Sequence, residues 1–83
     1  MNWSVYIIRC SDNTLYTGIS TDVQRRFRQH AGKSGAKYFR RCQPLSIVFI
    51  EPGHSRSSAS KREAAIKKMP LSGKLQIIAQ TMV

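Results

Sequence analysis

Acidic residues are scarce in this sequence. Asp and Glu number 4, against 14 Lys and Arg in 83 residues, which leaves a net charge of +10 at pH 7. This excess goes beyond what solubility requires, and it indicates a polyanionic partner or an anionic membrane surface. Nucleic acid and lipid are therefore the partners that the composition favours.

Long apolar runs are also missing. The longest runs are a few residues, whereas a membrane-spanning helix needs about 18, and no basic segment carries a long apolar face. Residues 1–10 lack the charged start, apolar stretch and cleavage site of a secretory signal. We therefore predict a cytoplasmic protein that binds nucleic acid, DNA or alternatively RNA, and no membrane.

Cysteine is limited to Cys10 and Cys42. Two residues so far apart along the chain match neither a redox CxxC motif nor a zinc-ligand pattern. Cytosolic thiols normally stay reduced. We interpret both as small buried apolar residues.

The length allows one core, because a chain of this size buries only about 60 to 65 % of the surface that its unfolded form exposes. The sequence contains no internal repeat, low-complexity segment or linker. We expect a single domain over residues 1–83.

Two β-branched and aromatic runs, residues 3–10 and 15–19, flank four turn-favouring residues and predict a β-hairpin. Tyr6 and Tyr16 lie on its two strands. An even loop would place the two phenols on opposite faces, whereas an odd loop or a bulge would place them on the same face. The sequence leaves this open.

A helix is predicted over residues 22–31. Thr21 and Gln24 have the spacing of a capping box, and glycine follows the helix. Arg26 and His30 are four residues apart on its flank, so they should border the sheet. The expected core stripe consists of Val23, Phe27 and Ala31.

Beyond this helix we predict a basic loop over residues 32–44 and a third strand over residues 45–51, ended by Pro52 and Gly53. A second helix should begin at Ser57 or Ser58 and run to Met69, before a proline. A last helix should lie within residues 71–83. Its expected core contacts are Leu75, Ile78, Ala79 and Met82.

Glu63 falls on the buried side of the second predicted helix, between Ala59 and Ile66. A carboxylate there is costly unless it is paired or binds a metal. One alternative is an ion pair with Arg26. The other is a single Mg²⁺ that keeps most of its waters and takes phosphate oxygens as ligands.

Individually, these residues have ordinary explanations. Tyr6 and Tyr16 suit the packing of a hairpin, and Arg26 alone would be a helix surface cation. Together, two phenols, a guanidinium, an imidazole and one acid on a strongly basic chain favour phosphodiester chemistry.

The order of these residues resembles the GIY-YIG nuclease superfamily, in particular its small stand-alone bacterial branch, often called YhbQ-like. The motif residues are Val5-Tyr6-Ile7, Tyr16-Thr17-Gly18, Arg26, His30 and Arg62-Glu63. The resemblance covers nearly the whole chain. It implies an α+β fold in which helices flank a three-stranded antiparallel sheet, with both motif tyrosines in the active site.

The resemblance also implies a metal-dependent DNA endonuclease that cleaves by in-line attack of water. Glu63 would hold one Mg²⁺ or Mn²⁺, and Arg26 would clamp the scissile phosphate. Tyr16 would orient or deprotonate the water, Tyr6 would assist, and His30 would hold Tyr6 or relay a proton. A phenol of pKa about 10 is a poor base at neutral pH unless nearby cations lower its pKa.

DNA contacts are expected from a glycine that admits a phosphate to the backbone and from basic and aromatic residues nearby. These residues are Gly18, Arg25, Lys37, Tyr38, Arg40 and Arg41. With no appended DNA-binding domain, target choice would rest on this domain as a monomer, on a weak homodimer or on a partner protein. DNA repair or processing is the role that we expect.

The sequence departs from the family pattern in three places. The first triplet is Val-Tyr-Ile in place of Gly-Ile-Tyr, and Thr17 replaces an isoleucine. No asparagine follows Asn13, although many family nucleases have one near the end of the domain, and Gln76 or Gln80 would have to replace it. The alternatives to a nuclease are a non-catalytic nucleic-acid-binding module and an RNA- or ribosome-associated protein.

Overall fold

A computed structural model describes residues 2–32 and 42–81. One antiparallel sheet has the strand order β2-β1-β3 and is flanked by three helices, which confirms the predicted fold class. The elements are β1 (Trp3–Cys10), β2 (Leu15–Ser20), α1 (Val23–Ala31), β3 (Pro44–His54), α2 (Arg56–Lys67) and α3 (Leu71–Thr81).

The turn between β1 and β2 has an odd number of residues. The Cys10 backbone N–H donates to the Thr14 carbonyl over 2.9 Å, which leaves residues 11–13 as the loop. Asn13 adopts a left-handed conformation with φ 66°, which asparagine tolerates better than most residues. The resulting register pairs Tyr6 with Gly18 and places Tyr6 and Tyr16 on the same face. The fold thereby selects one of the two alternatives that the sequence left open.

Strand β1 is central, and helices cover both of its faces. One face packs against α2 and α3 through Val5, Ile7, Phe49, Ala59, Ile66 and Ile78. The other face packs under α1 through Tyr6, Ile8, Cys10, Val23 and Cys42. The phenols therefore belong to the face that α1 covers.

Helix α1 matches the predicted range, but its cap and its buried side differ from the prediction. Asp22, not Thr21, is the N-cap, and its carboxylate accepts from the Arg25 N–H over 3.1 Å. Ala31 is exposed, whereas His30 is 1 % exposed. The imidazole thus takes the core position that we expected alanine to occupy.

Two later boundaries also differ from the predictions. Strand β3 continues through Pro52 and Gly53 to His54, because an edge strand tolerates proline where no ladder N–H is needed. Helix α2 begins after Ser55, whose hydroxyl accepts from the Ser58 N–H. In α3, Ile77 and Ile78 pack against the core.

Two of the core contacts that we predicted for α3 are wrong, because Leu75 is 52 % exposed and Ala79 is also exposed. Met82 lies outside the described residues. None of the helices in residues 2–32 and 42–81 is long and apolar enough to cross a membrane.

Gly18 lies directly beneath the Tyr6 side chain. A Cβ atom at Gly18 would lie 2.5 Å from the Tyr6 hydroxyl oxygen and 2.6 Å from Cζ. Since both atoms belong to a buried ring, the ring would have to move to accept a methyl group. Glycine at this position allows the Tyr6 ring to lie flat against the hairpin.

We expect Gly18→Ala to lower the free energy of unfolding by about 1 to 3 kcal/mol, the usual cost of overpacking a core. Gly32→Ala is the matched control, because a Cβ at Gly32 meets its nearest atom at an ordinary 3.4 Å. Denaturant unfolding of both variants tests this expectation. Equal stability of Gly18→Ala and the unaltered chain would contradict it.

Candidate active site

Three aromatic rings from three elements meet beneath α1. The ring centroids of Tyr6 and Tyr16 are 6.4 Å apart, those of Tyr6 and His30 are 6.4 Å apart, and those of Tyr16 and His30 are 5.5 Å apart. The hairpin register places the two phenols on one face, and α1 places the imidazole over them. The fold thus brings these three predicted site residues together.

The Tyr6 hydroxyl lies in a buried position, 3.2 Å from His30 Nε2. Burial raises the pKa of this phenol to about 12, and Tyr16 adds to the rise, whereas hydrogen bonding and charge from Arg26 lower it by less. Tyr6 therefore keeps its proton at neutral pH. It can orient a ligand, but it is a poor acceptor for a proton from water.

Burial, and then the positive charge of Arg26, lowers the pKa of His30. The imidazole is therefore mainly neutral at pH 7. In one tautomer, the Tyr6 O–H donates to Nε2. In the other, Nε2–H donates to the Tyr6 oxygen, which leaves the phenol proton for a water or a phosphate.

Arg26 is half-buried on α1, one turn before His30. Its Nη1 donates to Gln29 Oε1 over 3.2 Å, and its guanidinium also acts on the Tyr6 hydroxyl. Gln29 is not among the site residues predicted from the sequence, although its i, i+3 spacing from Arg26 is a usable signal. The result is a guanidinium held in place beside the phenols.

Glu63 projects from α2, and its side chain is 24 % exposed. Its charge contributes weakly to the raised pKa of Tyr6, which places the carboxylate within electrostatic reach of that phenol. Among the described residues its ion-pair partner is Lys67, at 3.5 Å, rather than Arg26. Because Lys67 is 55 % exposed, an i, i+4 pair of this kind is worth only about 0.3 to 0.5 kcal/mol.

The donor set around Glu63 fits a single hard cation. The half-buried Glu63 carboxylate is paired only with an exposed lysine, so it can leave that pair and bind Mg²⁺. Mg²⁺ keeps several waters and accepts substrate phosphate oxygens as ligands. Such a site depends on the substrate to complete it. Glu63 is the residue that would hold the ion.

A second group of donor atoms lies elsewhere in the fold. The sulfurs of Cys10 and Cys42 and a carboxylate oxygen of Asp12 all lie within 4.8 Å of one another. Both cysteines are buried, as predicted. Their proximity was not visible in the sequence, because it arises where the Ser11 N–H donates to the Gln43 carbonyl over 2.9 Å. Thiolates favour softer metals than Mg²⁺.

The expected DNA-contacting residues fall in three kinds of position. Gly18 is buried under Tyr6, so packing accounts for it, whereas Arg25 is exposed on α1 beside Arg26. The remaining ones, Lys37, Tyr38, Arg40 and Arg41, lie outside the described residues.

Comparison with known families agrees with this geometry. Residues 2–76 match the family model of the GIY-YIG catalytic domain. A UPF0213 protein of Cronobacter sakazakii is 49 % identical over 77 residues, which cover 93 % of this chain and 81 % of the relative. The UPF0213 protein YhbQ of Escherichia coli K12 is 42 % identical over 78 residues, which cover 94 % of this chain and 78 % of the relative.

A solved structure shares the fold. The solution NMR structure of a UPF0213 protein from Bacillus halodurans superposes with a TM-score of 0.63 at 37 % identity, and the match covers 98 % of this chain and 86 % of that chain. The resemblance predicted from the motif spacing is thereby confirmed.

The lowered pKa of His30 has a consequence for stability. The unfolded chain binds a proton at this residue more readily than the folded chain does, so His30 favours folding above about pH 6.5 and loses that contribution as the pH falls further. We expect the free energy of unfolding to fall between pH 7.5 and pH 5, and His30→Gln to reduce this dependence.

His54→Gln is the control, since His54 lies on the other side of the sheet, in contact with Glu51 and Ser58. Denaturant unfolding at several pH values measures the effect. An unchanged pH slope in His30→Gln would show that the imidazole is not held neutral.

Proposed function

The chain belongs to the GIY-YIG catalytic domain family, and on this basis we propose that it is a metal-dependent endonuclease that hydrolyses phosphodiester bonds in DNA. Its selectivity would be for structure or weakly for sequence, in the repair or processing of DNA. The relatives named above are UPF0213 proteins, so the activity is a proposal for this chain.

One observation carries the proposal. Tyr6, Tyr16 and His30 form a triangle of rings, with the Arg26 guanidinium beside it and the Glu63 carboxylate within electrostatic reach. A packing cluster alone has no need of a half-buried guanidinium and a carboxylate at the same phenol. A phosphodiester with an attacking water uses each of these groups.

In the proposed reaction, a water oxygen forms a bond to phosphorus as the opposite P–O bond breaks. Arg26 binds the nonbridging oxygens and stabilises the charge that develops on them. Mg²⁺ or Mn²⁺ at Glu63 would add positive charge at the phosphate and the leaving oxygen. The leaving oxygen takes its proton from solvent.

The two phenols have different roles in this scheme. Tyr6, with a pKa of about 12, keeps its proton and orients the water through a hydrogen bond. Tyr16 is half-buried and can therefore reach both the site and solvent. We assign to Tyr16 the role of orienting the attacking water, whose proton then passes to solvent, or of accepting that proton as a phenolate. We assign to His30 the role of fixing the Tyr6 hydroxyl.

We expect Glu63→Gln and Tyr16→Phe each to reduce cleavage of supercoiled plasmid by about 10²- to 10⁴-fold while DNA affinity changes little. The assay compares Mg²⁺ or Mn²⁺ with EDTA. Glu51→Gln is the matched control, since that half-buried glutamate lies on β3 in contact with His54 and Arg62. If both variants cleave DNA as fast as the unaltered chain, the assignment of Glu63 and Tyr16 to the active site is wrong.

A protein that binds DNA tightly but cleaves no plasmid, branched or single-stranded DNA in either metal would instead be a non-catalytic binding module. The missing C-terminal asparagine would then be the leading explanation. Gln76 and Gln80, the two glutamines that would have to replace it, are exposed on α3.

The basic residues between α1 and β3 provide a separate test. If Lys37, Arg40 and Arg41 contact phosphates, replacing all three by Ala should reduce the slope of log affinity against log salt by up to about 2.7, at about 0.9 per contact on duplex DNA. Fluorescence anisotropy over a salt series measures this slope. An unchanged slope would shift the DNA contacts to α1 and α2, with Arg25, Arg28, Lys67 and Lys68.

A further inference from the structure

An open cleft of about 310 Å³ lies beside the candidate active site. It is formed where β1 begins, β2 ends and α1 begins. Its lining residues are Trp3, Ile19, Ser20, Thr21, Asp22, Arg25, Arg26 and Gln29. Because Arg26 borders both the cleft and the Tyr6 hydroxyl, a ligand in the cleft would lie directly next to a phosphate bound at Arg26.

The cleft has two chemically different sides. The Trp3 indole and Ile19 offer an apolar wall. The Arg56 guanidinium lies over one face of the indole, 5.8 Å from the ring centroid, and Arg56 is not among the residues that line the cleft. Hydroxyl, carboxylate, guanidinium and amide groups from the β2–α1 turn and α1 form the other side. An aromatic face beside hydrogen-bonding groups is the combination that binds an unstacked nucleobase.

The Asp22 carboxylate argues for a base, rather than a second phosphate, at its end of the cleft. Asp22 lines the cleft as the N-cap of α1, and its carboxylate repels a phosphate but accepts hydrogen bonds from the amino groups of bases. The sugar-phosphate backbone would lie against the cations Arg25 and Arg26. The volume is at the lower end for small-molecule sites, which suits one nucleoside.

We infer that this cleft is a subsite for one nucleobase that has left the DNA stack next to the scissile phosphate. This rests on the proposed nuclease function and narrows its substrate. A base in a regular duplex cannot enter the cleft until it is unpaired and unstacked, at a cost of a few kcal/mol that an already unpaired base does not incur. The preferred substrate is therefore DNA with an unpaired nucleotide at the cleavage point.

The first test compares cleavage rates on two DNAs, an uninterrupted duplex and the same duplex with one unpaired nucleotide. The unaltered chain should cut the second faster. Trp3→Ala should lower that ratio of rates by about 5- to 150-fold, the factor for one base–aromatic stack, and Trp3→Phe should restore much of it. Equal rates on both DNAs would overturn the inference.

A second variant separates the cleft from the core, because Trp3 also packs against Val5 and its neighbours. Thr21 is exposed and lines the cleft without capping α1. Thr21→Phe should fill the cleft and remove the preference for the unpaired nucleotide. Gln24→Phe, at an exposed position of α1 outside the cleft, is the matched control and should keep the preference.

Binding without catalysis distinguishes failure of this inference from failure of the nuclease proposal. Trp3 is the single tryptophan, so its fluorescence in EDTA reports occupancy of the cleft. At saturation, DNA with the unpaired nucleotide should quench Trp3 more strongly than the uninterrupted duplex. Equal quenching would overturn the cleft assignment even if cleavage occurs, and unequal quenching would support it even if no DNA is cleaved.

Discussion

The packing of Tyr6 against Gly18 across the β1–β2 hairpin is the constraint on which the candidate site depends. A three-residue turn, allowed by the left-handed Asn13, sets the register that pairs these two residues. The same register places Tyr16 on the face of Tyr6, under α1. A shift by one residue would turn Tyr16 to the opposite face, and no adjustment of α1 could then recover the ring triangle.

The environments of the two tyrosines differ in a way that is compatible with the different roles proposed for them. Tyr6 is 1 % exposed on the central strand, and its burial outweighs the nearby guanidinium, so its pKa rises to about 12. A cation beside a phenol therefore does not by itself produce a base. Solvent access distinguishes Tyr16 on the edge strand from Tyr6, and strand order, not residue type, determines that access.

The two charged side chains of the candidate site, Glu63 and Arg26, have only weak side-chain partners. Glu63 is attached to α2 and has an exposed lysine as partner, while Arg26 is held by Gln29 on its own helix. Among residues 2–32 and 42–81, neither group has a buried ion-pair partner, which would be costly to break. Both would therefore be available to a phosphate in the proposed reaction, and the adjoining cleft would accommodate the nucleotide that carries it.

The sequence by itself determined the elements, the basic charge and the spacing of the motif residues, because hydrophobic periodicity, turn residues and composition are local properties. Its errors were at element ends, where Asp22 caps α1 and β3 continues past Pro52, and in the core contacts expected of Ala31, Leu75 and Ala79. Only the tertiary structure decided the shared face of the phenols, the burial of His30, the cleft beside Trp3 and the meeting of Cys10 with Cys42. These features depend on strand register and on how α1 and β3 pack against β1. They could not be predicted because contacts between segments that are distant along the chain leave no periodic pattern in the amino-acid sequence.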